Sequence, residues 1–463
     1  MSPTPERFSR IVTERLRTGR DWRWPGERDN DRILYSSAFR RLAGVTQVVA
    51  ADEGHVFHNR LTHSLQVSQV ACGLAQRLIR QDDRLAARLG GISPDVAAAA
   101  GLAHDLGHPP FGHVAEAELD HLVTEVYGVA DGFEGNAQSF RIVNALAHRA
   151  PPPHPPGLDL TPATLNAMLK YPWFRELESS KPATEQDSAG RNKRTKTKKA
   201  RKWGAYRLEK SAFDTARRLL PTQGSDRKSP EAEIMDWADD LTFAVHDAED
   251  FYRAGLIPLD RLSLTDDAER THFFDGIRQR PELLRMIEGS LTSEYTDTFR
   301  KFISDGFPLD EKYVGSTAQR SALRYFVSVQ IGEFINAFEL VEPKGADQPF
   351  VQIDPVRLKM VRMLKLLTWH YVILNPSLAT QQHGQRMIIQ TLFQIFHDAA
   401  TSGKYDMFPH AFRDAVKEAK ESDSKLVTRT VADLISGMTE RQAVEMYQRL
   451  TGVSLGSVLD SIL

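Results

Sequence analysis

Residues 101–113 read GLAHDLGHPPFGH, with three histidines and one aspartate in thirteen positions. Neither a solvated helix nor an apolar core gathers imidazoles like this without something to answer them. The alanine-rich DVAAAAGLA leading into the stretch predicts a helix that continues to Pro109-Pro110 and stops there. On such a helix His104 and His108, four apart, share a face, and Asp105 joins them only near the rim. Imidazole nitrogen with carboxylate oxygen suits a divalent cation such as Mn, Fe or Zn, with Mg where oxygens dominate.

A His-Asp pair alone is weak evidence, because the chain holds three: His104-Asp105, His246-Asp247 and His397-Asp398. Further donors must come from outside the stretch. Upstream, HNRLTHS puts His63 near the start of another predicted helix, with Arg60 one turn before it. Downstream, IMDWADDLTFAVHDAED (234–250) carries Asp236, Asp239, Asp240, Asp247 and Asp250 on one predicted helix that contains no lysine. Asp239, Phe243 and Asp247 are spaced by four and form one stripe. Carboxylates on a half-apolar helix repel unless a cation or donors answer them, so Asp239 is expected to face a metal.

Helical periodicity dominates the remainder, as in THSLQVSQVACGLAQRLIR (62–80), AEAELDHLVTEVYG, VRLKMVRMLKLLTWHYVI and RMIIQTLFQIFHDA. Only RILYSS and GVTQVVA tempt a strand assignment. The expected fold class is therefore all-α with little or no β structure. The 463 residues are 41% apolar, enough for a sizeable core or for two to three domain-sized units. A formal net charge of −2 argues neither for nor against nucleic acid or membrane partners. The single cysteine, Cys72, excludes an internal disulfide framework and fits a reducing compartment; its apolar neighbours predict a buried structural thiol. No signal-peptide pattern and no run of about 18 apolar residues is present, so the expectation is a cytoplasmic protein without a membrane span.

Two segments interrupt the helices. PPPHPPG (151–157) is a proline-rich loop. SSKPATEQDSAGRNKRTKTKKARKWG (179–204) holds nine Lys or Arg between Lys181 and Lys202. It reads either as a solvated, flexible insertion over 181–202 or as a phosphate-attracting arm for nucleotide or nucleic acid, and both readings stay open.

The order His63, His104-Asp105, Asp239 resembles the H…HD…D ligand set of the HD-domain phosphohydrolases. RDNDRILYSSAFRRLAGVTQV (28–48), FHNRLTHSLQVSQVA, LAHDLGHPPFGHVAEAEL, FEGNAQSFRI (133–142), EAEIMDWADDLTFAVHDAEDF and GMTERQAVEMYQRLTG (437–452) narrow the likeness to the deoxyguanosinetriphosphate triphosphohydrolase-like branch. The resemblance implies one such domain over 1–463, with an HD metal-binding core at about 58–250 and a C-terminal helical part at about 255–463. It also implies a divalent metal, Mn2+ or Mg2+ first and Fe, Co or Zn as alternatives, on His63, His104, Asp105 and Asp239. The implied reaction cleaves a deoxynucleoside triphosphate at the α-phosphorus, giving deoxynucleoside and inorganic triphosphate.

Other positions take roles by the same likeness. Arg60, beside His63, is the natural cationic clamp for a phosphate, and His108 is expected beside the phosphates. His113 sits where a helix begins after the Pro-Pro-Phe-Gly turn, and Glu116 three residues on favours its protonated form, which suits a general acid for the departing 5′-oxygen. Gln47 and Asp247 are expected at the deoxyribose 3′-hydroxyl, with Asp247 counted among the catalytic residues too. Phe243 stands where the family usually has tyrosine against the sugar, so the apolar wall is kept and the phenolic oxygen lost. Val45 stands where related proteins often carry lysine. Glu134, Asn136 and Gln138 are expected beside the metal cluster or substrate. The family assembles into homo-oligomers, often hexamers, and the same is expected here. The rival expectations are another HD phosphohydrolase (nucleotidase, cyclic-nucleotide phosphodiesterase, guanosine-tetraphosphate hydrolase) and a non-catalytic protein binding nucleotide or single-stranded nucleic acid.

Overall fold

A small polar cap followed by proline opens the helices that matter most. Ser93 Oγ accepts from Val96 N ahead of Pro94, and Ser229 Oγ from Ala232 N ahead of Pro230. Each cap satisfies an amide that the first turn leaves bare, and proline loses nothing where no amide is needed. The computed structural model describes residues 5–10, 21–47, 58–149, 154, 156–177, 184–186, 192–194, 198–218, 226–264, 267–345 and 348–454. The helices used below are α1 (Pro25–Leu34), α2 (Arg60–Gln81), α3 (Pro94–Ala103), α4 (His113–His121) and α5 (Gly135–Arg141). They continue with α6 (Pro230–Arg253), α7 (Pro355–Leu367), α8 (Pro376–Ser402), α9 (Ser424–Ser436) and α10 (Glu440–Leu450).

The fold is helical, as the periodicity requires. Among the described residues, strands occur only as two antiparallel pairs, Thr184–Gln186 with Asn192–Arg194 and Phe338–Leu340 with Val351–Ile353. RILYSS is no strand, since α1 runs through Leu34. GVTQVVA contributes a single bridge, Thr46 to Asn59, and its last three residues lie outside the described residues. No described helix is long and apolar enough to cross a membrane.

Buried apolar side chains form three main clusters. One joins Leu74 and Leu78 of α2 to Trp237 and Leu241 of α6 and Leu364 of α7, so helices far apart in sequence share a core. A second gathers Ile33, Val96, Leu102 and Met235, and a third packs Leu119 of α4 against Phe393 of α8 and Ile435 of α9. Helices α2, α3 and α6 all touch one another. The α2–α3 crossing is tight enough to exclude a side chain at Gly101, where a Cβ would lie 2.7 Å from Ser68 Cα. That close approach carries the residue after α3, His104, up to His63 in the first turn of α2.

Gly101→Val should lower the unfolding free energy by about 1–3 kcal/mol through overpacking, read from denaturant melts. A second expectation concerns Glu233 of α6, which accepts from Phe350 N at 2.8 Å and Val351 N at 3.0 Å and so ties α6 to the second strand pair. Burial pushes its carboxyl up from 4.5 to about 7. The native state therefore holds a proton between these pH values that the unfolded chain releases. Its stability contribution is full below pH 4.5 and is lost as pH rises through 7. Glu233→Gln should thus gain stability relative to the parent as pH rises from 4.5 to 7; a constant difference in melts across that window would refute it.

Candidate active site

Helix α3 ends earlier than its sequence suggests. His104 is its C-terminal cap, and a turn follows, with Leu106 N on Ala103 O at 3.2 Å and His108 N on Asp105 O at 3.2 Å. Ser139 of α5 takes over the groups that a continuing helix would have paired: its hydroxyl donates to His104 O at 2.9 Å and accepts from Gly107 N at 2.8 Å. His104 and His108 therefore do not share a helix face, and the expectation of an i, i+4 pair is corrected. The turn instead brings Asp105 beside His104, with Oδ1 3.5 Å from Nε2.

From α2, His63 Nε2 lies 3.0 Å from Asp239 Oδ1 of α6, and His104 Nε2 lies 3.7 Å from the same oxygen. One donor atom from each of His63, His104 and Asp239 falls within 4.8 Å of the others. His104 Nδ1 is 2.7 Å from Gly101 O, which can only accept, so Nδ1 carries a hydrogen and Nε2 is the nitrogen turned to the cluster.

Charge completes the arrangement. Burial alone would push Asp239 up, yet Lys170, with Nζ 2.7 Å from Oδ2, and the two histidines hold it well below the usual carboxylate range. Asp105 is more deeply buried and likewise held low, by Arg60 at 2.7 Å and then by His104 and His108. Burial lowers His63, and with Arg60 it lowers His108 to about 4. Neutral imidazoles facing ionised carboxylates are the protonation state in which these side chains bind a divalent cation, so the donor set fits one. The lysines that α6 itself lacks come from elsewhere: Lys170 also sits 2.8 Å from Asp236, Lys228 pairs with Asp236, and Lys365 lies 2.6 Å from Asp240. Lys170 carried no sequence signal, standing 69 residues from its partner Asp239.

Beyond the Pro-Pro-Phe-Gly turn, His113 opens α4 with 70% of its side chain exposed. Its Nδ1 is 2.9 Å from Glu116 Oε2, leaving Nε2 free. Glu116 is buried, and its Oε1 accepts from Gly135 N at 3.0 Å and Lys202 Nζ at 2.9 Å. Despite burial, Lys202 and His113 hold Glu116 well below its usual range. Lys202 also sits 3.0 Å from Glu134, which caps α5 through Asn136 N and Ala137 N and is pushed up by burial. Donor atoms of His108, His113 and Glu116 form a second group within 4.8 Å.

The last residue of the basic segment is thus built into the site, where a solvated arm was one expectation. Of 181–202, only 184–186, 192–194 and 198–202 are among the described residues.

Other expected positions fall out unevenly. Two nitrogens of Arg60 are committed, Nη1 to Asp105 and Nε to Thr46 O at 3.0 Å, leaving Nη2. Gln47 Oε1 and Asp247 Oδ2 are buried, and no described donor reaches either. Asp247 is raised well above its usual range, by burial and then by Asp250. Lys365 Nζ lies 5.8 Å from the Phe243 ring centre. Asn136 Nδ2 donates to Glu134 at 2.9 Å, and Gln138 donates to Asp433 at 2.9 Å, toward α9 rather than to a cluster carboxylate. Val45 is wholly buried. Sequence reasoning passed over His58, whose Nδ1 is 2.6 Å from Asp250 and whose ring stacks on His246 at 5.1 Å. Cys72 is half-buried, where a buried thiol was expected, and burial raises its pKa.

Fold and cluster define an HD-domain phosphohydrolase. Residues 60–169 match the HD domain family, and residues 351–449 match the Phosphohydrolase-associated domain. A deoxyguanosinetriphosphate triphosphohydrolase-like protein of Streptomyces coelicolor is 32% identical over 92% of each chain. Its namesake in Corynebacterium efficiens is 32% identical over 94% of this chain and 93% of its own. Another in Shewanella loihica is 28% identical over 97% and 98%. The chain belongs to the deoxyguanosinetriphosphate triphosphohydrolase-like family.

Removing one candidate donor should be visible without any substrate. Asp239→Ala should weaken Mn2+ binding, followed by calorimetry or electron paramagnetic resonance, by more than the roughly 10–100-fold typical of losing a mere supporting contact. Undiminished affinity would remove Asp239 from the donor set.

Proposed function

We propose that the chain hydrolyses deoxynucleoside triphosphates at the α-phosphorus, releasing deoxynucleoside and inorganic triphosphate. The observation that carries the reading is the convergence of His63, His104 and Asp239 donor atoms within 4.8 Å, with His104 at the start of the turn that leads to the His113–Glu116 pair. A divalent cation held there, with Asp105 alongside, would draw charge from an α-phosphate oxygen and favour ionisation of a nearby water. Mn2+ or Mg2+ is the reading preferred, and the two imidazoles also suit Fe, Co or Zn.

The chain's own groups account for the rest. Arg60 Nη2, the guanidinium nitrogen not spent on Asp105 or Thr46, and the ammonium groups of Lys170 and Lys202 supply positive charge beside an anionic triphosphate. Water attacks phosphorus and gives up its proton to solvent, the bond to the 5′-oxygen breaks, and that oxygen takes the Nε2 proton of His113, which solvent then replaces. Glu116, ionised and fixed by Gly135 N and Lys202, holds the imidazole by Nδ1 so that Nε2 faces the leaving group. His108, neutral, sits 3.0 Å from Asp105 and edge-on to His113, between the two halves of the site. On the sugar side, the unanswered oxygens of Gln47 and Asp247 suit a hydroxyl hydrogen, and the Phe243 ring offers an apolar wall. A high Asp247 pKa also lets the protonated carboxyl donate. A homo-oligomeric state and a cytoplasmic location belong to the same reading, supported by family membership and by a chain with one cysteine.

Purified protein with Mn2+ or Mg2+ and each deoxynucleoside triphosphate, resolved by ion exchange, should yield nucleoside plus intact triphosphate. Monophosphate plus pyrophosphate, or stepwise loss of single phosphates, would move the chain to another HD phosphohydrolase chemistry. Silence with every substrate and every mixture would favour a binding protein. His113→Asn should lower kcat by about 10²–10⁴-fold with little change in Mn2+ affinity.

A further inference from the structure

The C-terminal words GMTERQAVEMYQRLTG enter none of the chemistry above, yet they touch it. Thr439 caps α10 in a reciprocal pair with Gln442: its hydroxyl accepts from Gln442 N at 3.2 Å, and Gln442 Oε1 accepts from Thr439 N at 2.8 Å. With that end satisfied locally, the side chain of the first helical residue, Glu440, is free to reach outward. Its Oε1 accepts from Thr46 N at 2.8 Å and from Phe111 N at 3.1 Å, and its Oε2 accepts from the Thr46 hydroxyl at 2.7 Å.

Both donors adjoin the site. Thr46 precedes Gln47, and its carbonyl accepts from Arg60 Nε. Phe111 lies in the turn before His113, with φ of +66°, and Gly112 follows at +57°. A side chain is disfavoured in that region, so Phe111 holds it only if its surroundings insist. A second tie runs parallel: Arg41 donates to Met438 O at 3.0 Å, to Leu106 O at 2.7 Å and to His108 O at 2.8 Å. The packing leaves no slack, since a Cβ on Gly44 would lie 2.9 Å from Thr439 Cβ.

We propose that Glu440 is a positioning residue: its carboxylate clamps the Thr46–Gln47 segment and the Phe111–Gly112 turn into one unit and so sets where Gln47 and His113 stand relative to the metal cluster. The consequence for turnover rests on the function proposed above; the clamp itself does not. Misplacement of a reacting group by about 1 Å can cost on the order of 100-fold in rate, so a carboxylate that never touches substrate can still govern kcat.

The experiment compares the full-length parent, Glu440→Gln and Glu440→Ala with Mn2+ present. Amide hydrogen exchange, thermal melting, and kcat and KM on whichever deoxynucleoside triphosphate the parent hydrolyses are measured together. In Glu440→Ala, exchange at Thr46 and Phe111 should quicken while the α6 amides around Asp239 stay protected. Its kcat should fall about 10–100-fold, with KM raised by the loosened Gln47. Glu440→Gln keeps an oxygen for the two amides and should recover most of the loss. Unchanged exchange at both amides, or quickened exchange with parental kcat and KM, would overturn the proposal. So would failure of Glu440→Gln to recover activity while its fold and exchange match the parent. Should Glu440→Ala not fold, Glu440→Asp takes its place, since a carboxylate one methylene shorter cannot span both amides; parental exchange and kinetics in it would overturn the proposal. A parent inactive on every deoxynucleoside triphosphate would sink the proposed function instead, and exchange alone would then decide the clamp.

Discussion

A carboxylate drawn out of water must be answered by positive charge or by hydrogen-bond donors, and in this molecule the one that matters is the half-buried Asp239. Lys170, His63 and His104 surround it, drawn from three separate stretches of chain. Stripping one partner from it leaves a half-enclosed charge uncompensated, so the arrangement holds only while the helices stay in register. Asp105 repeats the pattern on a smaller scale, with Arg60 as its answer, and the same guanidinium reaches Thr46. Packing of α2, α3 and α6 and charge pairing between them are therefore one constraint seen from two sides.

That constraint explains why the HD turn has its shape. A helix continuing to His108 would carry Asp105 around the rim and away from His104. Ending α3 at Ala103 costs the helix its last pairings, and Ser139 of α5 offsets that loss by taking His104 O and Gly107 N. The turn sets two functional groups in sequence: ionised carboxylates and neutral imidazoles on one side, and on the other an exposed imidazole held by a buried glutamate. The contrast between His63, buried and lowered, and His113, exposed and bonded to Glu116, follows from burial and neighbours rather than from residue type.

The C-terminal helices share the work that the HD segment is credited with. Asp433 of α9 takes Gln138 and the fork of Arg141, and Glu440 of α10 takes Thr46 and Phe111. The association of an HD domain with the domain that follows it is in this chain a set of buried and half-buried hydrogen bonds into the back of the site.

Sequence by itself determined the helical class, because apolar residues recur at the helical period almost throughout. It also pointed to His63, His104 and Asp239 as candidate metal donors, which the fold brings within 4.8 Å of one another, because histidine and aspartate in fixed order have few other uses at such density. The Glu116 partner of His113 was legible for the same reason: three residues is one helical turn, and local spacing needs no tertiary knowledge. What lay beyond reach were the contacts between distant stretches. Lys170 and Lys202 have no spacing relation to Asp239 or Glu116, so only the folded chain could show which lysines neutralise the site. The end of α3 was misread because propensity favours continuing an alanine-rich helix, and the Ser139 bonds that stop it come from α5. Local sequence sets periodicity and donor chemistry, since both act within a turn or two. Charge compensation and the point where a helix yields to a turn are settled by burial, which belongs to the whole fold.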